Sequence, residues 1–484
     1  VKGGTGNDTL KAWGVGNKVN GDSGNDRIVV FAASNTVDGG DGHDHIVTKG
    51  GTNTVRGGTG NDKIFAYGAA NIIDAGSGND TVKAYGGGNV VKSASGNNVI
   101  EAGGLVNVIT TGGGNDKITA LGGANIIRVG NGKNNVKAGG LGNAVTTGSG
   151  DDIVNVLAHS NVVLTAGGND RVIAGGMYNI ISTGAGNDDV YAAGGLNAVN
   201  VGSGNDKVVG VGLANAFYAN GGNNKMYGLA GGNVFLSTSN GNDEMYALGY
   251  LNVLTKIGNG NATMMAGGAY NVLTKVGDGK DLMVALGKGN LLTKVGDGSS
   301  TMIAGAMMNV LTSFGNSQDT MVSVGKMNAL VGGAGDDTLI AAGKGNVAFG
   351  DALGISLSKY TASESKNAGK DAKTDDLETD VEWNNVNDVD PSKAAGGNDR
   401  MVALGKYNGL VAGGGEDIVL AGGSHNFVFG DEILDVDVKV DLPTLTNFLP
   451  DLSGFNLSEF DIYLGLPDLA DFLLPDLSWS ELLD

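Results

Sequence analysis

Residues 57–74 read GGTGNDKIFAYGAANIID: a glycine-rich turn, a short apolar stretch, a second bend around Gly68, then Asn71 followed by two isoleucines. The same pattern is written on both sides of it. Asparagine recurs at every eighteenth position from Asn17 to Asn233, then at steps of nineteen through Asn252, Asn271, Asn290, Asn309 and Asn328. Asn346 follows at a step of eighteen, and two further units carry Asn408 and Asn426. Seven residues before each asparagine stands an aliphatic residue or methionine, as at Ile28, Ile64, Ile118 and Met264, and five before it the residue is often small, as at Ala66, Ala84 and Ala102. A separation of two puts both on one strand face, and the small partner predicts a thin interior.

A strand of about four or five residues with a glycine turn at each end cannot bury itself, but stacked identical turns pair every backbone group with the neighbours on either side. The expected fold is therefore all-β, a parallel β-solenoid of the β-roll or β-helix kind with 18- and 19-residue coils, two short strands in each. Contiguous coils from Asn17 to Asn346, spaced by roughly 4.8 Å, would make a rod about 90 Å long. A helical alternative fails on glycine, which costs about 1 kcal/mol at each helix-interior position.

Residues 1–236 are expected to hold 18-residue coils, 237–349 mostly 19-residue coils, and 394–429 two more. Between the last two groups, 350–393 reads as an acidic, flexible insertion. Residues 430–484 read as a capping strand, in which Val436, Val438 and Val440 alternate with Asp437, Lys439 and Asp441, followed by an acidic Pro/Leu-rich tail that repeats Leu-Pro-Asp-Leu. All five prolines lie outside the repeat units, where a missing N–H deletes no ladder bond.

The formal charge of −20 is unevenly spread: 25 acidic and 23 basic side chains up to Phe349, against 26 and 8 after it. No basic footprint exists for nucleic acid. The absence of cysteine excludes disulfides, thiol catalysis and Cys-based metal sites. Val1 opens directly on patterned sequence and no run of eighteen apolar residues occurs, so neither a leader nor a spanning helix is visible and the chain reads as a fragment of something longer. The four histidines, His43, His45, His159 and His425, are scattered, and no nucleophile, base and orienting carboxylate recur together. Enzymatic activity is not expected.

One acidic column stands out. Asp8, Asp26, Asp44, Asp62 and Asp80, continued by Asp116, Asp152, Asp170, Asp188 and Asp206, fall at one edge of the stack, where Ca²⁺ could bridge successive carboxylates that otherwise repel. Asn98, Asn134 and Asn224 interrupt the column. The alternative is structural, with Asp and Asn hydrogen-bonding their own tight turns. The repeated asparagines are expected to form an amide ladder, and Met226, Met245, Met264, Met283, Met302, Met321 and Met401 to fill the core. The residue after most of the asparagines is also apolar: Ile72, Val90, Val108, Ile126, Val162, Ile180, Val234, Val253, Val272, Leu291 and Val310. Strand alternation turns this position outward if the next faces inward, giving an exposed stripe suited to a membrane, a partner or a second rod.

Turns such as Gly39-Gly40-Asp41-Gly42-His43-Asp44 resemble the Gly-Gly-x-Gly-x-Asp signature of repeats-in-toxin (RTX) β-rolls, a resemblance that implies Ca²⁺ held by aspartate carboxylates and glycine carbonyls. The usual nine-residue spacing is absent, because the second half of each unit reads Gly-x-x-Asn and leaves one edge for metal. The 19-residue units, with their Thr274-Lys-Val-Gly-Asp-Gly phrase, resemble the repeat arms of multifunctional-autoprocessing RTX (MARTX) toxins over residues 3–349 and 394–429. That resemblance implies a secreted bacterial toxin arm, extracellular and associated with the host plasma membrane. It would attach to that membrane or form pores, and would translocate effector domains of the same polypeptide. Side-to-side self-assembly along the stripe, a calcium-folded secretion module and an adhesin stalk are the alternatives.

Overall fold

Each coil has an inward column of large apolar side chains and turns rich in glycine, so it gains most of its stability from the coils stacked on it. The computed structural model describes residues 1–351 and 397–429. They form a 22-stranded sheet wound as a parallel β-solenoid, from Lys2–Thr5 to Ile418–Phe429, with no helix among the described residues. The described coils belong to one unit, Val1–Asp435. Each strand pairs in parallel with the coils before and after it. Asn71 sits opposite Asn89 in the 18-residue register and Asn252 opposite Asn271 in the 19-residue register. Asn346 pairs with Asn408, so the ladder continues past residues 352–396.

The expectation of two strands per coil is corrected. In the coil Lys63–Ser77 one strand of 15 residues runs through the bend at Gly68. Neighbouring coils bend at the same register position, with Gly50 opposite Gly68, so the pairing turns the corner with the chain. A Cβ at Gly68 would stand 2.5 Å from the Gly50 carbonyl oxygen, which is why the bend takes glycine.

The interior is two columns wide. Ile28, Ile46, Ile64, Ile100 and Ile118 are fully buried seven residues before their asparagines, and Val37, Val55, Ile73, Val91, Ile109 and Ile127 are buried two after. Each such side chain contributes on the order of 1.5–3 kcal/mol relative to exposure, which is enough only when summed over the stack. The seven methionines of the core column are fully buried as well. Volume is balanced across the columns: where Phe217 and Phe235 replace an aliphatic, Gly210 and Gly228 stand in the place of the usual alanine. A Cβ at Gly228 would lie 2.5 Å from Phe235 Cζ. The two phenylalanine rings stack with centroids 4.7 Å apart.

Gly350 and Asp351, placed by the sequence at the start of the insertion, still belong to the strand Thr338–Asp351. The rest of the expected insertion up to 393 lies outside the described residues, as do the expected capping strand and tail at 430–484.

Candidate functional site

The repeated asparagines pass one amide hydrogen from coil to coil. Asn35 Nδ2 donates to Asn53 Oδ1 at 2.8 Å, and the same bond repeats through Asn179 to Asn197 and Asn346 to Asn408, ending at Asn426. All donate toward the C-terminus. The second amide hydrogen goes to a main-chain carbonyl, as from Asn53 to Tyr67 O at 3.0 Å. This column is a structural ladder whose polar atoms satisfy one another.

The aspartate column is satisfied only by half. The ten aspartates from Asp8 to Asp206 share one edge; Asp8 is half-buried and the other nine are at most 2% exposed. Positive φ at Gly58 (121°) and Gly60 (116°) shapes the turn that carries Asp62 inward. One carboxylate oxygen reaches back one coil: the Asp44 N–H donates to Asp62 Oδ1 at 2.8 Å and the Asp26 N–H to Asp44 Oδ1 at 2.8 Å. The bond expected within each aspartate's own turn therefore crosses between coils, because in-register stacking brings the preceding coil's N–H into line. Asn98, Asn134 and Asn224 keep this link with a neutral oxygen, as in the Asp80 N–H to Asn98 Oδ1 bond at 3.0 Å.

The other oxygen, Oδ2, is buried without a hydrogen bond in Asp26, Asp44, Asp62, Asp116 and Asp206. It faces space that a side chain would fill. A Cβ at Gly39 would lie 2.4 Å from Asp44 Oδ2 and 2.5 Å from the Gly57 carbonyl oxygen; at Gly57 the distances are 2.5 Å to Asp62 Oδ2 and 2.3 Å to the Ala75 carbonyl oxygen. One carboxylate oxygen and one carbonyl of the next coil thus converge at these steps, as they do at Gly21. Burial, opposed by the N–H bond from the coil before, pushes the Asp62 and Asp206 carboxyls up to about 7. Asp80 rises to about 6, again chiefly by burial, and Asp44 rises for the same reason. Burial also raises Asp152, Asp170 and Asp188, against the hydroxyls of Thr147, Thr165 and Thr183.

A buried carboxylate left this way either holds a proton or takes a cation. Oxygen-only donors suit a hard ion such as Ca²⁺. Among the described residues no three His, Cys, Asp or Glu side chains converge on one point. An ion at this edge would therefore combine carboxylates of successive coils with turn carbonyls.

The column is longer than the sequence suggested. Asp243, Asp281, Asp319, Asp337, Asp399 and Asp417 continue it, and burial raises Asp337 to about 7 and Asp399 to about 8. Only the turn Gly332-Gly333-Ala334-Gly335-Asp336-Asp337 still spells the repeated signature, and the other five aspartates could have been found only by their spacing from the asparagines. Lys256, Lys275 and Lys294, fully buried at the same edge, were also missed. Their signal was alternation with Asn252 and Leu254, both inward, two residues apart.

Of the expected apolar stripe, Ile72, Val90, Ile126, Ile180, Val234, Leu291 and Val310 are exposed, while Val108, Val162, Val253 and Val272 are half-buried. A second apolar row runs along the bend before each asparagine. Leu105 (74% exposed), Leu141 (74%), Met177, Leu213 (70%) and Tyr250 recur at every second coil, with Gly123, His159, Gly195 and Gly231 between them. Stripe and ridge thus expose apolar side chains one residue after and two residues before the asparagines. No helix among the described residues is long and apolar enough to cross a membrane.

The sequence profile of the RTX calcium-binding nonapeptide repeat, in its four-copy form, matches residues 15–46, 47–82, 101–136, 164–199, 175–208, 201–235 and 327–347. These coils are similar to RTX calcium-binding nonapeptide repeats, and the matched segments make up less than half of the chain. RTX repeats of this kind bind Ca²⁺, and proteins that carry them are typically secreted. The RTX matches cover much of the aspartate column and skip residues 236–326, where the three lysines stand. Neither the curated proteins nor the solved structures yield a match.

Proposed function

We propose that this chain is a calcium-ordered, non-enzymatic RTX solenoid of a secreted protein. The observation that carries the proposal is the row of buried Oδ2 atoms without a hydrogen bond, which at Asp8, Asp26, Asp44 and Asp62 stand beside a carbonyl of the next coil, while Asp80 Oδ2 accepts from Ser93. Asp8, Asp26, Asp44, Asp62, Asp80, Asp116, Asp152, Asp170, Asp188 and Asp206 would hold the ions. Bound Ca²⁺ supplies positive charge that the carboxylates otherwise lack. The chain's own part is to present oxygens at a fixed coil spacing and to exclude water around them. A calcium-poor compartment leaves these carboxylates strained, and a calcium-rich exterior relieves them, so folding follows export. Circular dichroism and thermal melting in CaCl₂ and in EGTA test this: calcium should raise the midpoint and sharpen the transition, and identical curves would refute it.

The two exposed apolar rows favour a second role, that of a toxin repeat arm of the MARTX type that meets the host plasma membrane and helps translocate effector domains of the same polypeptide. Exposed Leu105, Leu141 and Leu213 are costly in water and suited to a lipid interface. Side-by-side assembly of two solenoids is the competing use of the same rows. Liposome co-sedimentation with these leucines changed to serine separates the two: lost pelleting with an unchanged oligomeric state supports attachment, whereas lost assembly with unchanged pelleting supports pairing.

A further inference from the structure

We infer that Lys256, Lys275 and Lys294 are tethered cations that take the place of metal ions in the 19-residue coils, so that this stretch of the solenoid keeps its fold without calcium. The inference deepens the calcium proposal, yet its own evidence is the geometry of the lysines.

The three are the buried lysines among the described residues, and they stack in register, Lys256 opposite Lys275 and Lys275 opposite Lys294. Their ammonium groups bind the oxygen types that a calcium ion would use at this edge. Lys256 Nζ lies 2.6 Å from Asp243 Oδ2, 2.6 Å from Ser239 Oγ and in contact with the Ser239 carbonyl. Lys275 Nζ donates to the carbonyls of Gly258 at 2.8 Å and Gly277 at 2.9 Å, with Asp281 Oδ2 3.7 Å away. Lys294 Nζ donates to the Gly296 carbonyl at 3.0 Å.

The two carboxylates respond unequally: Asp281 Oδ2 has only the 3.7 Å ion pair with Lys275 and accepts no hydrogen bond, whereas Asp243 is saturated. Asp243 Oδ2 also accepts from Ser237 at 2.7 Å and Ser239 at 2.8 Å, so the oxygen that is bare in Asp62 is fully engaged here. Charge balances as well. Over this stretch the column reads Asp243, Ala262, Asp281, Ser300, Asp319, giving three carboxylates for three lysines, while Ala262 and Ser300 remove two charges that would exceed them. In the 18-residue coils the position that Lys256 occupies belongs to Thr147, Thr165, Thr183, Val201 and Ala219, none of which carries a cation. The RTX match ends at residue 235 and resumes at 327, outside the lysine coils.

Hydrogen-exchange mass spectrometry on the full chain in EGTA and in CaCl₂ is the test. In EGTA the amides of residues 245–311 should remain protected while those of 28–206 lose protection. Lys275→Met should accelerate exchange across 264–295 by roughly a hundredfold, the effect of removing one partner of a buried charge pair. Thr165→Lys should make the reverse change, protecting residues 154–190 in EGTA. Loss of protection in 245–311 equal to that in 28–206, or unchanged exchange in Lys275→Met, would overturn the inference. If 28–206 ignores calcium while Lys275→Met still loosens its coils, the calcium proposal fails and the tethered cations stand.

Discussion

The amide ladder predicts a directional response at Asn179. This residue accepts from Asn161 Nδ2 at 2.9 Å and donates to Asn197 Oδ1 at 2.8 Å and to the Ala193 carbonyl at 3.2 Å. Asn179→Ala leaves two buried groups short of a partner, one amide hydrogen of Asn161 and Asn197 Oδ1, each costing about 1–3 kcal/mol, so the coil should lose about 3 kcal/mol. Because coils are coupled mainly to their neighbours, the loss appears as local opening, not global unfolding. Amide exchange across residues 154–218 should accelerate roughly a hundredfold, the factor matching about 3 kcal/mol. Asn179→Asp should behave differently. Its carboxylate still accepts from Asn161, but it faces the oxygens of Asn197 and Ala193 and can donate to them only when protonated. Its folded-state affinity for a proton is raised, so the variant should approach wild type at pH 4 and open as pH rises toward 8. Hydrogen exchange at the two pH values, corrected for intrinsic rates, is the assay. Less than about threefold acceleration in Asn179→Ala would mean that the ladder contributes no stability in excess of ordinary packing.

Three further outcomes follow. Gly228→Ala drives a methyl group into the Phe235 ring and should destabilise its coil by about 1–3 kcal/mol, with Phe235→Leu restoring the melt; failure of the rescue would show that the clash lies elsewhere. In EGTA the solenoid should weaken between about pH 4 and 7. Asp62 and Asp206 titrate near 7 when folded against an ordinary 3.8, so their native state binds more protons, and the stability this lends is complete below about 4 and gone above about 7. A melting midpoint that rises over the same interval in EGTA would contradict that sign. Changing Val90, Ile126 and Ile180 together to serine should reduce liposome pelleting while leaving the β spectrum intact, and unaltered pelleting would remove the stripe from membrane attachment.

The fold was legible because the 18-residue step is strict: Asn71 and Asn89 could be set side by side on spacing alone, and Ile64 and Ile73 could be placed inside by alternation. The edge was legible where glycine and aspartate spell the turn, from Asp8 to Asp206 and again at Asp337. Between these the turn at Gly277-Asp278-Gly279 put an aspartate where the eye expects one, while the inward residue is Asp281, three positions on. Lys275 misled for a physical reason, since lysine ordinarily keeps its ammonium in water and only a completed ring of carbonyls and carboxylate makes its burial tolerable. The outward bend at Leu105 and Leu141 was hidden because the bend was read as a break between strands, where side-chain direction is not fixed, and it proved to be continuous strand.

A high-resolution structure of the chain grown in Ca²⁺ tests the central claim most directly. Ions should lie beside the Oδ2 atoms of Asp26, Asp44, Asp62 and Asp206, each also held by a turn carbonyl, with ammonium groups in place of ions at Lys256, Lys275 and Lys294. Empty gaps along the early edge, with the carboxylates protonated or turned outward, would contradict it.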